Sequence, residues 1–437
     1  MVVHRAQAKR IVPWGMMAVL MASVFTVSMG FGVVLPLLPY LIERLIGTGG
    51  DAEQVAQSTG VLTGLYMLSL FLFAPLWGRL SDRYGRRTIL VIGLTGFGAT
   101  MATFAFIETL AAVYAERFLS GMFAAAVTPV ALAAIGDIAA PEQTRARRLT
   151  FVSLAGVTGF LLGPMLGVFI AQGAAGLLPA TSSTGSLAFP LAATALLAFI
   201  LTATALKLLP RAQEPNLDVT KGQVPTKTVP TLIPRMLALA FIVSAAVGVF
   251  EVGLALRGKQ ELGLTQYQVA AMFTECSLVM IIVQTIVFAP WIKAETTRWF
   301  ITPALVILAI GLFLVPRADD FTMMLLVVGA VAASAGIISP ILTYWISSKA
   351  GHAQGTQLGR QTAAASLGAA IGSAAGGLLF NVAWLPDASF VLITGLTVMG
   401  FLISFALPKM LMKRRHDHPD VMPPMCLESV SIPLRQP

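Results

Sequence analysis

The chain has 437 residues, 57% of them hydrophobic and only 11% charged, with 29 Lys and Arg against 20 Asp and Glu and a net charge of +9. A soluble chain of this length would split into about three domains at ~150 residues each, but so few charges cannot keep such surfaces in water, which excludes a cytosolic enzyme. In a soluble protein the positive charge would raise nucleic acid as a partner; here membrane topology accounts for it, and no nucleic acid is expected.

Charge-free windows long enough to cross a bilayer, at ~20 residues each, run from Trp14 to Leu38, Thr59 to Trp77, Thr88 to Ile107 and Phe118 to Gly136. Leu149 to Leu206 is one uncharged run that holds two spans joined by the turn-rich stretch Gly173 to Gly185. A polar stretch, Lys207 to Arg235, carries five prolines and reads as a linker; six more spans follow at about 236–256, 264–290, 299–316, 321–347, 361–383 and 388–408. The expectation is an all-α membrane protein of twelve transmembrane helices, numbered here as spans 1 to 12. It divides into a six-helix half at 1–206, a linker at 207–235, a second half at 236–408 and a disordered tail at 409–437.

With both ends on one side, loops on that side carry 24 of the 29 Lys and Arg, and the opposite loops only Arg44, Arg257, Lys259 and Arg317. Both termini are therefore expected in the cytoplasm. The six tryptophans fall near span ends, where an interfacial belt places them. Span 1 is preceded by Arg5, Lys9 and Arg10 but is too long for a signal peptide and lacks a small-residue cleavage site. Cys276 and Cys426 are not expected to pair. In the tail, Lys413, Arg414 and Arg415 suit anionic membrane lipid, and His416 and His418 around Asp417 read as solvated side chains, two histidines being too few for a metal site. No cofactor is called for: no phosphate-binding glycine loop with Lys and Ser or Thr is present, which argues against ATP-driven transport by this chain.

Two fragments repeat. Phe73-Ala74-Pro75 matches Phe288-Ala289-Pro290 at an offset of 215, and Ser153-Leu154 with Gly159 and Gly163 matches Ser366-Leu367 with Gly372 and Gly376 at an offset of 213. Both map span n onto span n + 6, which points to a parallel repeat of two six-helix halves.

Between spans 2 and 3 stands Gly78-Arg79-Leu80-Ser81-Asp82-Arg83-Tyr84-Gly85-Arg86-Arg87. Gly78 and Gly85 permit a tight reversal, Asp82 suits a helix N-terminus, and Arg83, Arg86 and Arg87 suit lipid phosphate or a partner acid. A plain positive-inside loop would explain the arginines but neither the glycines nor the aspartate. This stretch resembles the signature of the major facilitator superfamily, the twelve-helix secondary transporters. Three further segments resemble its drug:proton antiporter branch: Gly30-Phe31-Gly32-Val33-Val34-Leu35-Pro36-Leu37-Leu38-Pro39 in span 1, Arg117-Phe118-Leu119-Ser120-Gly121 in span 4, and Gly159-Phe160-Leu161-Leu162-Gly163-Pro164-Met165-Leu166-Gly167-Val168 in span 5, where Val168 replaces a usual glycine. The matches cover residues 30 to 168. Val27 stands where the similar tetracycline exporters carry an aspartate, which argues against tetracycline itself.

The span 5 glycines, four apart, leave a side-chain-free groove for another helix, and Pro164 frees a backbone carbonyl and allows a bend. Ordinary small-residue packing is the competing reading. Intramembrane charges mark the transport site, because each costs at least ~2.5 to 3.5 kcal/mol at the bilayer centre. Four qualify: Glu116, Arg117, Glu251 and Glu275. Glu275 lies about eleven residues from the outer end of span 8 and is the expected proton-coupling carboxylate, with Glu251, about five from the outer end of span 7, second. Arg117 is expected to tune Glu275 or bind substrate. Glu116 points about 100° away from it on an ideal helix and has no assigned role.

The expected function is a proton-coupled antiporter of the inner membrane, working as a monomer and exporting small amphipathic organic molecules by alternating access. The alternatives are an uptake permease for a metabolite or metal complex, and a non-transporting membrane sensor or assembly factor on the same fold. The cost of retained intramembrane charge disfavours the last.

Overall fold

The computed structural model describes residues 14–47, 51–104, 106–136, 142–175, 185–210, 232–287, 292, 294–349, 354–380, 382, 385, 387–405 and 407–412. Span 1 outruns its charge-free window: α1 (Trp14–Val34) passes through a 3-10 turn, Leu35–Leu37, into α2 (Leu38–Ile46). Pro36 and Pro39 remove donors that an unbroken helix needs, so the backbone tightens and restarts. Arg44, expected in a loop, therefore rides on a helix.

Next come α3 (Ala52–Tyr84), α4 (Arg86–Phe104), α5 (Leu110–Gly136), α6 (Glu142–Ala175) and α7 (Gly185–Leu208). The second set is α8 (Leu232–Gln260), α9 (Gln266–Val287), α10 (Ile301–Leu314), α11 (Phe321–Lys349), α12 (Gln354–Leu378) and α13 (Ala388–Ser404). A short α14 (Leu407–Met412) follows, so Lys409 lies in a helix rather than in the disordered tail expected from residue 409. Phe288-Ala289-Pro290, residues 211–231, Trp291, Trp384, His416, Asp417, His418 and Cys426 lie outside the described residues.

Among the described residues, ten helical segments are long and apolar enough to cross a bilayer, and α13 is a shorter apolar helix. The remaining crossing, α12, is dominated by Gly, Ala and Ser, because it packs between α8 and α3, where small residues let backbones approach. The twelve-helix expectation holds. Two tryptophans near span ends also anchor protein contacts: Trp345 is buried and donates to the Thr297 hydroxyl at 3.2 Å, and Trp77 donates to the Met122 carbonyl at 2.7 Å.

The buried apolar side chains form two large clusters. One is drawn from Met16 to Leu209, the other from Leu232 to Leu411 with Leu35 added. Phe31 packs against both. A third, small cluster of Ala56, Val252, Leu256 and Phe380 lies between them.

The internal repeat is visible as contact geometry. On α6, Gly159 meets the Phe25 carbonyl of α1, a Cβ at Gly163 would lie 2.6 Å from the Met29 carbonyl oxygen, and one at Gly167 3.2 Å from Val33. On α12, Gly368, Gly372 and Gly376 meet Phe241, Ala245 and Val249 of α8 in the same way. Gly32 abuts Phe160 and Pro164 as Gly248 abuts Ala369 and Ser373. Thus α1 maps onto α8 at an offset of 216, and α6 onto α12 at 209, where the sequence fragments suggested 213. That difference is about one helical turn. Runs of glycines spaced by four look the same after a one-turn slip, and only the partner backbone fixes the register.

Candidate functional site

The arginine-rich turn is shorter than its motif. Residues through Tyr84 continue α3, and α4 begins at Arg86, so the reversal is made by Gly85 alone, at φ 89°, with its N–H donating to the Ser81 carbonyl at 3.0 Å. Few residues with a Cβ tolerate that conformation. Gly78 lies inside α3 with nothing near its Cα face, so it plays no part in the turn. Asp82, 66% exposed, pairs at 2.6 Å with Arg86, the first residue of α4, which also donates to the Ser81 hydroxyl. Arg87 donates to the Leu206 carbonyl of α7, and Arg83 lies 5.4 Å from the Tyr84 ring centroid.

Arg117 is buried, 2% exposed, seven residues into α5 from Leu110, or ~10 Å along the axis at 1.5 Å per residue. Glu116 does not point away from it. Its carboxylate accepts from Arg117 Nε at 2.6 Å and from Nη2 at 2.8 Å, a bidentate pair between sequence neighbours. In an apolar surround the attraction of two such charges outweighs the ordinary rotamer directions of a helix. The guanidinium also faces the Phe104 ring at 4.5 Å and the Tyr66 ring at 5.7 Å. Tyr66 stacks on Phe31 at 5.1 Å, and Phe31 on Phe160 at 5.7 Å, so a ladder of π surfaces leads from α5 through α3 and α1 to α6. Aromatic residues in apolar spans were the ladder's only trace in the sequence.

Glu251 and Glu275 lie at equal depth. Because α8 continues to Gln260, Glu251 is nine residues from its end, and Glu275 is nine residues from the start of α9 at Gln266. Both are ~14 Å along the axis. The expected contrast between a shallow Glu251 and a deep Glu275 is absent. Cys276, buried, follows Glu275 in α9. The Glu275 Oε2 is buried with no hydrogen-bond partner among the described residues, and its Oε1 faces Gly329 of α11. Arg117 is paired with Glu116 and makes no ion pair with Glu275 among the described residues.

At the end opposite Gly85 the α8–α9 connection is built on Arg257, which pairs with Glu261 and donates to the Ala318 carbonyl at 3.3 Å. Burial pushes the Glu261 carboxyl up, with Arg257 opposing and Asp387 adding to the shift. Among the described residues no group of three or more His, Cys, Asp or Glu is placed to hold a metal ion.

Twelve crossings in two like-packed sets, a glycine reversal at the basic turn and buried charge in apolar helices define a membrane transporter. The chain belongs to the Major Facilitator Superfamily, matching that family over residues 20–361. It is 27% identical over 386 residues to Multidrug resistance protein 2 of Bacillus subtilis, covering 86% of this chain and 92% of that one. With Quinolone resistance protein NorA of Staphylococcus aureus the identity is 25% over 393 residues, 88% and 94% of the two chains. A D-xylose-proton symporter crystal structure shares the fold at a TM-score of 0.71, with 12% identity over 90% of this chain and 97% of that one. The protein is a multi-pass cell-membrane transporter of small molecules.

Proposed function

We propose that the chain is a proton-coupled exporter of small amphipathic organic molecules, working as a monomer by alternating access of the halves 1–206 and 236–408, with 207–235 linking them on the cytoplasmic side. The names of the relatives, resistance proteins for drugs, support export. The charge asymmetry of the loops supports a cytoplasmic basic turn, and anionic lipid headgroups suit its arginines. The same orientation puts Lys259 and Gln260 at the outer face.

One observation carries the coupling: a buried carboxylate oxygen on Glu275 with no hydrogen-bond partner among the described residues. Charge in an apolar core must be met by something. With Arg117 neutralised by Glu116, the intramembrane carboxyls that remain are Glu275 and, at like depth, Glu251, and either a proton or a positively charged ligand satisfies them. Mutually exclusive occupancy of these carboxyls by proton and substrate is the simplest exchange device. Amphipathic cations are therefore the preferred substrates, and the aromatic ladder of Tyr66, Phe31 and Phe160 offers them a π surface.

The burial pattern fits one stage of the cycle. Residues of α3 are largely buried from Val55 to Ser69 and, apart from Ser81, half-buried or exposed from there to Tyr84; α9 is buried between Val269 and Ser277 and again at Val287. With contacts between the halves at the outer side, this supports a state that would load cargo from inside.

The test is proteoliposome transport of a fluorescent organic cation under an imposed pH gradient. Glu275→Gln should abolish pH-driven accumulation and keep substrate exchange, which needs no net proton movement. Because the depths are equal, Glu251→Gln should lose accumulation to a similar degree. Unimpaired accumulation in both variants would sink the reading.

A further inference from the structure

The contacts that tie the halves together at the outer face centre on one lysine. Lys259, next to last in α8, is only 10% exposed and reaches the first span of the other half. Its Nζ donates to the Pro39 carbonyl at 2.7 Å, pairs with the Glu43 carboxylate at 2.5 Å and lies 5.0 Å from the Tyr40 ring centroid. Tyr40 returns the contact, its hydroxyl donating to the Leu264 carbonyl at 2.8 Å. Beside it, the Gln260 side-chain amide donates to the Ala52 carbonyl, the first residue of α3, at 3.0 Å.

Two apolar layers lie beneath. The first is the cluster of Ala56, Val252, Leu256 and Phe380. In the second, α3 and α12 touch backbone to backbone, a Cβ at Gly60 falling 2.6 Å from the Gly377 Cα. Such layers adhere by shape and dispersion, are short-ranged and carry no charge. The lysine layer differs, because parting it returns a nearly buried ammonium and the Pro39 and Leu264 carbonyls to water and breaks the pair with the exposed Glu43 carboxylate. It also sets which residues meet, since a three-donor ammonium is satisfied only where Pro39, Tyr40 and Glu43 converge.

We propose that Lys259 is the latch of an outer gate: it holds the halves closed at the outer face, and its release from Glu43, Pro39 and Tyr40 is a required step toward the outward-open state. The inference rests on the alternating-access reading above. Closed, the latch keeps external water and protons from the Glu251 and Glu275 carboxyls while cargo enters from the cytoplasm.

The experiment measures gate distances by double electron–electron resonance in nanodiscs, with Cys276 and Cys426 replaced by serine. One spin-label pair sits at the outer face on the exposed Gln54 and Asp320, another at the cytoplasmic face on the exposed Tyr84 and Ser348. Lys259→Met should raise the outer open-to-closed ratio at least tenfold, equivalent to about 1.4 kcal/mol. Lys259→Arg, which keeps the charge and the donors, should stay closed. Tyr40→Phe removes one hydroxyl and should open the gate by a smaller factor, which keeps the proposal testable if Lys259→Met fails to fold. An unchanged outer distribution in Lys259→Met, or in Tyr40→Phe where the former does not fold, overturns the latch, as does equal opening in Lys259→Arg. If the outer pair lengthens while the cytoplasmic pair does not shorten, the latch stands and alternating access fails.

Discussion

The Arg117 guanidinium lies bidentate on the carboxylate of the residue beside it, Glu116, with both side chains buried in α5. The pair turns two costly intramembrane charges into one neutral, planar unit that stacks on Phe104 and Tyr66. A shift of 215, the offset of the Phe73-Ala74-Pro75 repeat, places the uncharged Val331 and Ala332 at the matching positions of the second half.

Breaking that pair from one side leaves the other charge buried alone. Glu116→Gln should destabilise the purified protein by about 3–5 kcal/mol, read as a fall in thermal unfolding temperature. The double replacement Glu116→Leu with Arg117→Met should recover most of that stability yet transport poorly, since the cation on the aromatic ladder is gone. A double variant as unstable as the single one would show that the pair is not the stabilising unit.

The glycine register gives a matched pair of tests. Gly163→Leu forces α6 off the Met29 carbonyl, and Gly372→Leu forces α12 off Ala245 in the other half. Each should cost about 1–3 kcal/mol or more from overpacking and stop turnover. Val168→Gly should be far milder. Full transport by Gly163→Leu would mean that the α1–α6 contact is spacious.

At the basic turn, the two glycines should behave oppositely. Gly85→Ala meets a positive-φ, extended backbone that is essentially glycine-only and should cost about 1–3 kcal/mol, whereas Gly78→Ala sits in an open helical position and should gain about 0.5–1 kcal/mol. Asp82→Asn removes the bridge to Arg86 but is exposed, so its stability should fall by no more than about 1 kcal/mol. Its transport should nevertheless stop, while membrane insertion stays normal. Transport at the parent rate would show that the Asp82 bridge plays no part in the conformational change.

Glu261 supplies a pH test. Its carboxyl is pushed up by burial, so the folded state prefers the neutral form; that stabilisation is complete below the ordinary carboxyl value of about 4.3 and is lost as pH rises through the folded value. Glu261→Gln, always neutral, should show less loss of thermal stability on going from acid to neutral pH than the parent protein. A parent and variant with parallel pH profiles would mean that Arg257 compensates the burial fully.

What the sequence determined by itself follows from the solvent. Lipid demands continuous apolar helices, so charge-free windows counted the crossings, and sparse charge left the intramembrane residues conspicuous. The resemblance of the turn and of spans 1, 4 and 5 placed the chain in its superfamily. Only the tertiary structure decided who meets whom. Glu116 looked directed away from Arg117 because ideal helix geometry ignores the pull between charges in a low dielectric. The repeat slipped by a turn because glycines four apart do not distinguish one turn from the next. Lys259 read as an ordinary loop cation in the charge count, since a contact with Glu43 more than two hundred residues away leaves no local pattern. Periodicity records what each helix must bury, and the choice of partner is made by packing between helices that the chain brings together from its two ends.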